Sequence, residues 1–171
     1  MTSYSISFVI PAKNESLAIR GTLEGIRELF PDAELIVVDD GSDDGTGRIA
    51  EACGARVIRH PFSKGNGSAV KTGARVAAGD LLVMMDADGQ HNPEDAVRLL
   101  KRMDEGYDMV VGARDPTSQA SFWRGFGNRI YNWLASYMTG HRVADLTSGF
   151  RVVRAGKFRE FLYLLPNGFS Y

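Results

Sequence analysis

The chain alternates between short apolar runs and longer segments whose apolar residues recur every three to four positions. The short runs predict five strands, at residues 5–10, 34–38, 55–59, 81–85 and 108–111. The longer segments predict a helix at residues 17–30, one that contains residues 49–53, one at 68–78, and one from Asn92 onward. Strands and helices that alternate over short connections predict an α/β fold, with a mainly parallel sheet flanked by helices.

Conspicuous polar residues follow three of these predicted strands. They are Asn14, Glu15, Asp39, Asp40, Asp86 and Asp88. The carboxyl ends of parallel strands meet at one edge of the sheet, where such folds bind ligands. We therefore expect a polar binding site at this edge.

The Asp86-Ala87-Asp88 segment comes directly after the most apolar strand. Residues two apart in an extended segment face the same side, so these two carboxylates can share a hard cation such as Mg²⁺ or Mn²⁺. Gln90 continues the alternation and would add an oxygen ligand. The alternative is a solvated turn that caps the next helix, but the neighbouring acidic pair favours the metal.

The acidic loop 39–45 partly matches a calcium-binding EF-hand loop. The segment before it is strand-like, whereas an EF-hand needs an incoming helix, so calcium binding is disfavoured. A carboxylate at a strand end can instead accept hydrogen bonds from a nucleoside base or ribose, or it can cap the next helix. The glycines here and at 65–67 do not form the dinucleotide-binding pattern, which disfavours an NAD-binding domain.

Two further segments each have two possible interpretations. Residues 64–68 precede a helix and are either an anion-binding loop or a plain helix start. His60 and His91 are expected to have structural or surface roles. The aromatic and arginine-containing stripe 122–139 either packs against the sheet or forms an amphipathic helix in a membrane interface.

Composition narrows the function classes. The 171 residues suit one domain, and 20 basic against 21 acidic residues leave no field that would attract nucleic acid. The single cysteine, Cys53, excludes an internal disulfide and a multi-cysteine zinc site. No signal peptide or membrane-spanning run is evident, so we expect a soluble or peripheral cytoplasmic protein. Residues 162–171 resemble an element cut short, which predicts truncation at the C-terminus.

Four sequence blocks together resemble family 2 glycosyltransferases with the GT-A fold. They lie at residues 11–15, 37–42, 86–91 and 145–151, in order and over nearly the whole chain. The last two blocks are most similar to the polyprenyl-phosphate branch, such as dolichyl-phosphate mannose synthases. The resemblance implies one GT-A catalytic domain, with a nucleotide-sugar-binding half at 1–113. The acceptor-side half would be 114–171, with the amphipathic helix 122–139.

The resemblance also implies an activity. The enzyme would transfer a hexosyl group, mannose or glucose, from a GDP- or UDP-hexose to polyprenyl phosphate. The transfer would invert the anomeric carbon, require Mg²⁺ or Mn²⁺, and take place at the cytoplasmic face of the membrane. The acceptor phosphate is mostly dianionic at pH 7, since its second pKa is about 6, so no general base is needed.

Roles for individual residues follow from the same resemblance. The implied substrate-binding residues are Pro11, Lys13, Glu15, Val38, Asp40, Ala87, Arg124 and Ser148. The implied catalytic residues are Asp86, Asp88, Arg114 and Arg151, and the implied metal ligands are Asp86, Asp88 and Gln90. Lys13 stands where an aromatic residue is common in the family, so base stacking is not expected there.

Two other functions remain open from the sequence. A family 2 transferase that acts on a saccharide hydroxyl would need a carboxylate base, for which Asp145 is the evident candidate. A nucleotide-binding module without turnover is the other alternative, which the intact Asp86 and Asp88 disfavour.

Overall fold

Six strands form one sheet in the computed structural model, which describes residues 4–112 and 148–164. They are β1 (Ile6–Ala12), β2 (Glu34–Asp39), β3 (Arg56–Arg59), β4 (Leu81–Met84), β5 (Met109–Val111) and β6 (Arg151–Arg154). Their order in the sheet is β3-β2-β1-β4-β6-β5. The first four strands are parallel, and β6 runs antiparallel to both β4 and β5. The predicted mainly parallel α/β sheet is confirmed.

Among the described residues, four helices lie between successive strands from β1 to β5, and a fifth follows β6. They are α1 (Ile19–Leu29), α2 (Thr46–Ala52), α3 (Asn66–Val76), α4 (Pro93–Met103) and α5 (Ala155–Phe161), which runs into a 3-10 turn at Leu162–Leu164. The predicted start of α4 is observed, because the Asn92 side chain accepts a hydrogen bond from the backbone N–H of Glu94. Within these residue ranges, no helix has the length and apolar character needed to cross a bilayer.

Apolar side chains cover both faces of the sheet. Alternate residues of a strand point to opposite faces, so Phe8 and Ile10 pack into one core with α1, while Val9 packs into the other with α3. Burial on both faces is typical of parallel sheets with helices on either side. The polar loops at the strand ends are therefore attached to a sheet that is packed on both faces.

Strand β1 continues through Pro11 to Ala12, so the predicted end at residue 10 is wrong. The Ala12 carbonyl accepts a hydrogen bond from Asp40 on the β2 side, and the Val9 carbonyl accepts one from Met85 on the β4 side. Alternate residues of a parallel strand bond to opposite neighbours, so the Pro11 nitrogen faces the β4 side. The pairing of β1 with β4 ends at Val9, so the absence of an N–H group on Pro11 costs no hydrogen bond between these strands.

Candidate active site

The loops after β1, β2, β3 and β4 surround a cavity of about 340 Å³ at the carboxyl edge of the sheet. The residues that line it are Pro11, Ala12, Lys13, Glu15, Asp40, Ser63, Gly65, Asn66, Ala69, Asp86, Ala87 and Asp88. Most of the residues assigned to the donor side from sequence therefore lie together. A volume of this size is typical of small-molecule sites.

Asp86 has two close neighbours. The Nε2 atom of His91 lies 3.4 Å from Asp86 Oδ2, and the His91 ring stacks on Phe150 with 5.0 Å between ring centroids. The backbone of Gly149 also approaches so closely that a Cβ atom there would lie 2.6 Å from Asp86 Oδ2. The position of this carboxylate therefore depends on the segment that leads into β6.

Asp88 belongs both to the turn before α4 and to the lining of the cavity. Its Oδ1 accepts a hydrogen bond from the backbone N–H of Gln90 at 3.0 Å, which stabilises the turn before α4. The same side chain lines the cavity beside Asp86. Gln90 itself is exposed and is not a lining residue, so its predicted role as a metal ligand stays a prediction.

Negative charge accumulates at this end of the cavity. Burial raises the pKa of the Glu15 carboxyl, and the neighbouring charges of Asp88, Asp44 and Asp86 raise it further. Such mutual repulsion is relieved when a cation binds between the carboxylates. The donor atoms are carboxylate oxygens, which suit Mg²⁺ or Mn²⁺.

The described residues contain no group of three His, Cys, Asp or Glu side chains that would hold a metal on its own. Mg²⁺ is usually bound by one or two carboxylates together with substrate phosphates and water. Asp86 and Asp88 therefore fit a cation that is shared with a bound diphosphate.

The Asp40 carboxylate is a centre of hydrogen bonds. It is only 4% exposed and accepts hydrogen bonds from the ring of His60, the hydroxyl of Ser63, and the backbone N–H groups of Lys64 and Gly65. Burial alone would raise the pKa of Asp40, but these four donors outweigh it and lower the pKa to about 2. Asp40 thus joins the end of β2 to the loop that lines the cavity.

Hydrogen bonds also fix the loop after β1 against the loop after β2. The backbone N–H of Asn14 donates to the Ser42 hydroxyl, and the Asn14 side chain accepts from the backbone N–H of Asp43. Asn14 adopts a left-handed backbone with φ of 57°, which Asn tolerates better than most residues. The backbone N–H of Ser16 donates to Asp44 in the second loop, and that of Glu15 donates to the Thr46 hydroxyl at the start of α2. These bonds hold Lys13 and Glu15 at the cavity.

Asp44 serves that same connection. The side-chain hydrogen bond from Thr46 lowers the pKa of its carboxyl most strongly. Burial opposes this effect, and a backbone hydrogen bond from Ser16 lowers the pKa further. Strand β2 leads into this loop, whereas an EF-hand would have a helix at that place. The structure therefore agrees with the sequence argument against calcium binding. The acidic loop therefore acts as a connector between loops and as the start of α2.

The segment before β6 brings part of the predicted acceptor side next to Asp86. Ser148 is fully buried, its hydroxyl accepts from the Phe150 N–H, and its carbonyl accepts from the Arg151 guanidinium. A small void of about 10 Å³ is lined by Asp86, Gly149 and Arg151 among others. Arg151 therefore lies near the predicted metal ligands.

Some predicted residues lie elsewhere. The Val38 side chain is fully buried in the core against α3 and does not line the cavity. Arg114, Arg124, Asp145 and the predicted helix 122–139 lie outside the described residues.

Sequence reasoning missed several contributors to the site. Ser63 and Ala69 line the cavity, and both histidines that were given structural or surface roles contact a site carboxylate. His60 directly follows β3, so the rule that drew attention to polar residues at strand ends also applies to it.

A solved structure shares this fold and carries ligands. It is glucosyl-3-phosphoglycerate synthase from Mycobacterium tuberculosis in complex with Mn²⁺, UDP and glucosyl-3-phosphoglycerate. The TM-score is 0.71 at 27% identity, over 90% of this chain and 58% of that one. The fold is therefore GT-A, as the sequence motifs predict. The glycosyl transferase family 2 model matches residues 7–162, and the chain belongs to that family.

The chain also resembles two curated proteins whose names refer to undecaprenyl phosphate. Undecaprenyl-phosphate mannosyltransferase of Micrococcus luteus is 35% identical over 164 residues, which cover 88% of this chain and 67% of that protein. Undecaprenyl-phosphate 4-deoxy-4-formamido-L-arabinose transferase of Photorhabdus laumondii is 34% identical over 159 residues, covering 87% of this chain and 49% of that protein. The chain thus spans about half to two thirds of the length of these relatives.

Proposed function

We propose that this protein transfers a hexosyl group, mannose or glucose, from a GDP- or UDP-hexose to polyprenyl phosphate. The transfer inverts the anomeric carbon and depends on Mg²⁺ or Mn²⁺. The observation that carries the proposal is the convergence of Asp86 and Asp88 with Pro11, Lys13 and Asp40 on one cavity. The names of the two curated relatives support the lipid acceptor.

The donor occupies the cavity in a defined direction. The nucleoside lies at the end framed by Pro11, Lys13 and the loop that Asp40 holds, and the diphosphate lies toward Asp86 and Asp88. Asp86 and Asp88 would hold a cation there, and its charge would offset the negative charge of the departing nucleoside diphosphate. Burial raises the pKa of Glu15, and the negative charge of these aspartates, which such a cation would offset, raises it further.

The acceptor needs orientation more than activation. Its phosphate already carries a nucleophilic oxygen at neutral pH, so the site requires positive charge to hold it and no histidine–carboxylate base pair. Arg151 supplies part of that charge beside Asp86. We assign Arg114 and Arg124 to the same task, with Ser148 shaping the acceptor side.

The two halves of the domain divide this work. Residues 1–113 bind the nucleotide sugar, and residues 114–171 bind the acceptor at the cytoplasmic face of the membrane. In this proposal, helix 122–139 lies in the membrane interface and presents the site to the headgroup phosphate. Liposome flotation tests this with Trp123→Ser, which should reduce the lipid-bound fraction with little loss of thermal stability. An unchanged bound fraction with a large loss of stability would instead mean that Trp123 is a core residue.

A transfer assay tests the activity. Radiolabelled GDP-mannose or UDP-glucose is incubated with polyprenyl phosphate in detergent, and the label is extracted into organic solvent. We expect lipid-linked label with Mn²⁺ or Mg²⁺ and none with EDTA. The matched variants are Asp88→Asn, which should be inactive, and Asp104→Asn, which is remote from the cavity and should be active.

Two results would contradict the proposal. Label that enters a soluble saccharide and not the lipid would favour the saccharide-hydroxyl reaction with Asp145 as base. Tight nucleotide binding without transfer to any acceptor would favour a binding module without turnover.

A further inference from the structure

His60 occupies a buried position that the proposed reaction does not yet use. It follows β3 directly, and 7% of the residue is exposed. Its Nδ1 lies 2.6 Å from Asp40 Oδ1, and its Nε2 lies 3.0 Å from the Thr72 hydroxyl on α3. Its backbone N–H also donates to the Asp39 carbonyl. The residue therefore bridges the end of β2 to α3.

The direction of these hydrogen bonds follows from the chemistry of the partners. The Asp40 carboxylate is ionised at neutral pH and only accepts, so His60 Nδ1 carries the proton that is shared with it. The Nε2 atom shares a second hydrogen bond with the Thr72 hydroxyl, which is able both to donate and to accept. Thr72, His60 and Asp40 form one chain of hydrogen bonds.

This chain ends at the cavity wall. Asp40 accepts from the Ser63 hydroxyl at 2.8 Å and from the N–H groups of Lys64 and Gly65, both at 2.9 Å. A carboxylate offers about four lone-pair sites, so the partners within the protein occupy them. Ser63 and Gly65 line the cavity, and a movement of Asp40 therefore moves that wall.

We propose that His60 is a positioning residue for the donor nucleotide. It fixes the orientation of Asp40, and through Asp40 it fixes the Ser63–Gly65 wall at the nucleoside end of the cavity. The inference rests on the proposed function, because it takes the nucleoside to be the ligand at this end. Loss of the His60–Asp40 hydrogen bond should weaken binding of the nucleoside and leave the diphosphate end unaffected.

Two substitutions test the two side-chain hydrogen bonds of His60 separately. His60→Asn places an amide nitrogen where Nδ1 stands and keeps the donor to Asp40, while His60→Gln places its amide toward Thr72. Calorimetry with UDP and GDP in Mn²⁺ should give a dissociation constant about tenfold higher for His60→Gln, with His60→Asn restoring most of the affinity. Thr72→Val should have a small effect, and Mn²⁺-dependent pyrophosphate binding should be unchanged in all three. Donor KM should rise in His60→Gln with kcat nearly constant.

The outcomes distinguish this inference from the proposed function. Nucleotide affinity is measured without any acceptor, so a failure of transfer to polyprenyl phosphate does not affect it. If the wild-type chain binds neither nucleotide, both proposals fail. If the wild-type chain binds them, and both His60→Asn and His60→Gln bind them as tightly as the wild type does, only the role of His60 is wrong.

A spectroscopic measurement on the wild-type chain covers the case in which His60→Gln does not fold. In ¹⁵N-histidine-labelled protein, His60 should carry a proton on Nδ1, and UDP or GDP should shift its ring resonances while pyrophosphate should not. An Nδ1 atom without a proton, or resonances indifferent to nucleotide, would overturn the proposal.

Discussion

Replacement of Gly149 by alanine tests how the segment before β6 controls Asp86. A Cβ atom at this position would lie 2.6 Å from Asp86 Oδ2 and 3.1 Å from Oδ1. Carbon and oxygen atoms in ordinary contact are separated by about 3.3–3.6 Å, so the carboxylate must move by roughly 1 Å. Gly149 does not have a positive φ, and alanine can adopt its backbone conformation.

The expected loss is functional, with little loss of stability. Asp86 is half-buried beside a cavity, so its short side chain can rotate away without displacing the core. The free energy of unfolding should change by no more than about 1 kcal/mol. Displacing a metal ligand through its surroundings commonly costs about 10–100-fold in metal affinity. A misplacement of about 1 Å can cost about 10²-fold in rate.

Calorimetry of UDP or GDP, with and without Mn²⁺, measures this effect. The matched control is Gly156→Ala in α5, where an added Cβ atom meets nothing within 4 Å. Gly149→Ala should lose Mn²⁺-dependent affinity, and Gly156→Ala should keep it. Wild-type affinity in Gly149→Ala would refute the view that the close approach of Gly149 sets the position of Asp86.

Three further predictions concern the site carboxylates. Asp88→Ala should abolish Mn²⁺-dependent nucleotide binding with an unchanged circular dichroism spectrum, and retained binding would refute its assignment as a ligand. Asp40→Asn should weaken nucleotide binding by about 1–3 kcal/mol in calorimetry; equal weakening of pyrophosphate binding would place Asp40 at the phosphate end. The pKa of Asp40 falls from 3.8 to about 2 on folding, so its ionised form contributes about 2 kcal/mol above pH 4 that is lost as the pH falls toward 2. Urea unfolding at each pH should show this decline in the wild type and a flatter profile in Asp40→Asn, and identical profiles would contradict it.

The placement of the site carboxylates was predictable because the sequence signals for it are local. An apolar run followed at once by acidic residues identifies both a strand and its end, as for β4 with Asp86 and Asp88. The carboxyl ends of parallel strands meet at one edge, so these residues had to lie together once the sheet was predicted. The cavity confirms that reasoning for Glu15 and Asp40 as well.

Features that depend on distant partners were not predictable. Strand β6 contains only Val152 and Val153 as apolar residues, too few to show a period, and it is defined by pairing with β4 and β5. Leu17 fits the apolar spacing of α1 but is fully exposed ahead of that helix. His60 bonds to a carboxylate twenty positions away. Such contacts follow from the packing of the folded chain.

Thermal unfolding of the wild-type chain with UDP-glucose or GDP-mannose tests the central claim, that the cavity binds a nucleotide sugar together with a cation at Asp86 and Asp88. A ligand at 100 times its dissociation constant stabilises the native state by about 2.7 kcal/mol. For a chain of this size that raises Tm by about 5–10 °C. We predict this rise with one nucleotide sugar and Mn²⁺ together, and no comparable rise with either alone. An equal rise in EDTA, or no rise with any nucleotide sugar, would contradict the account.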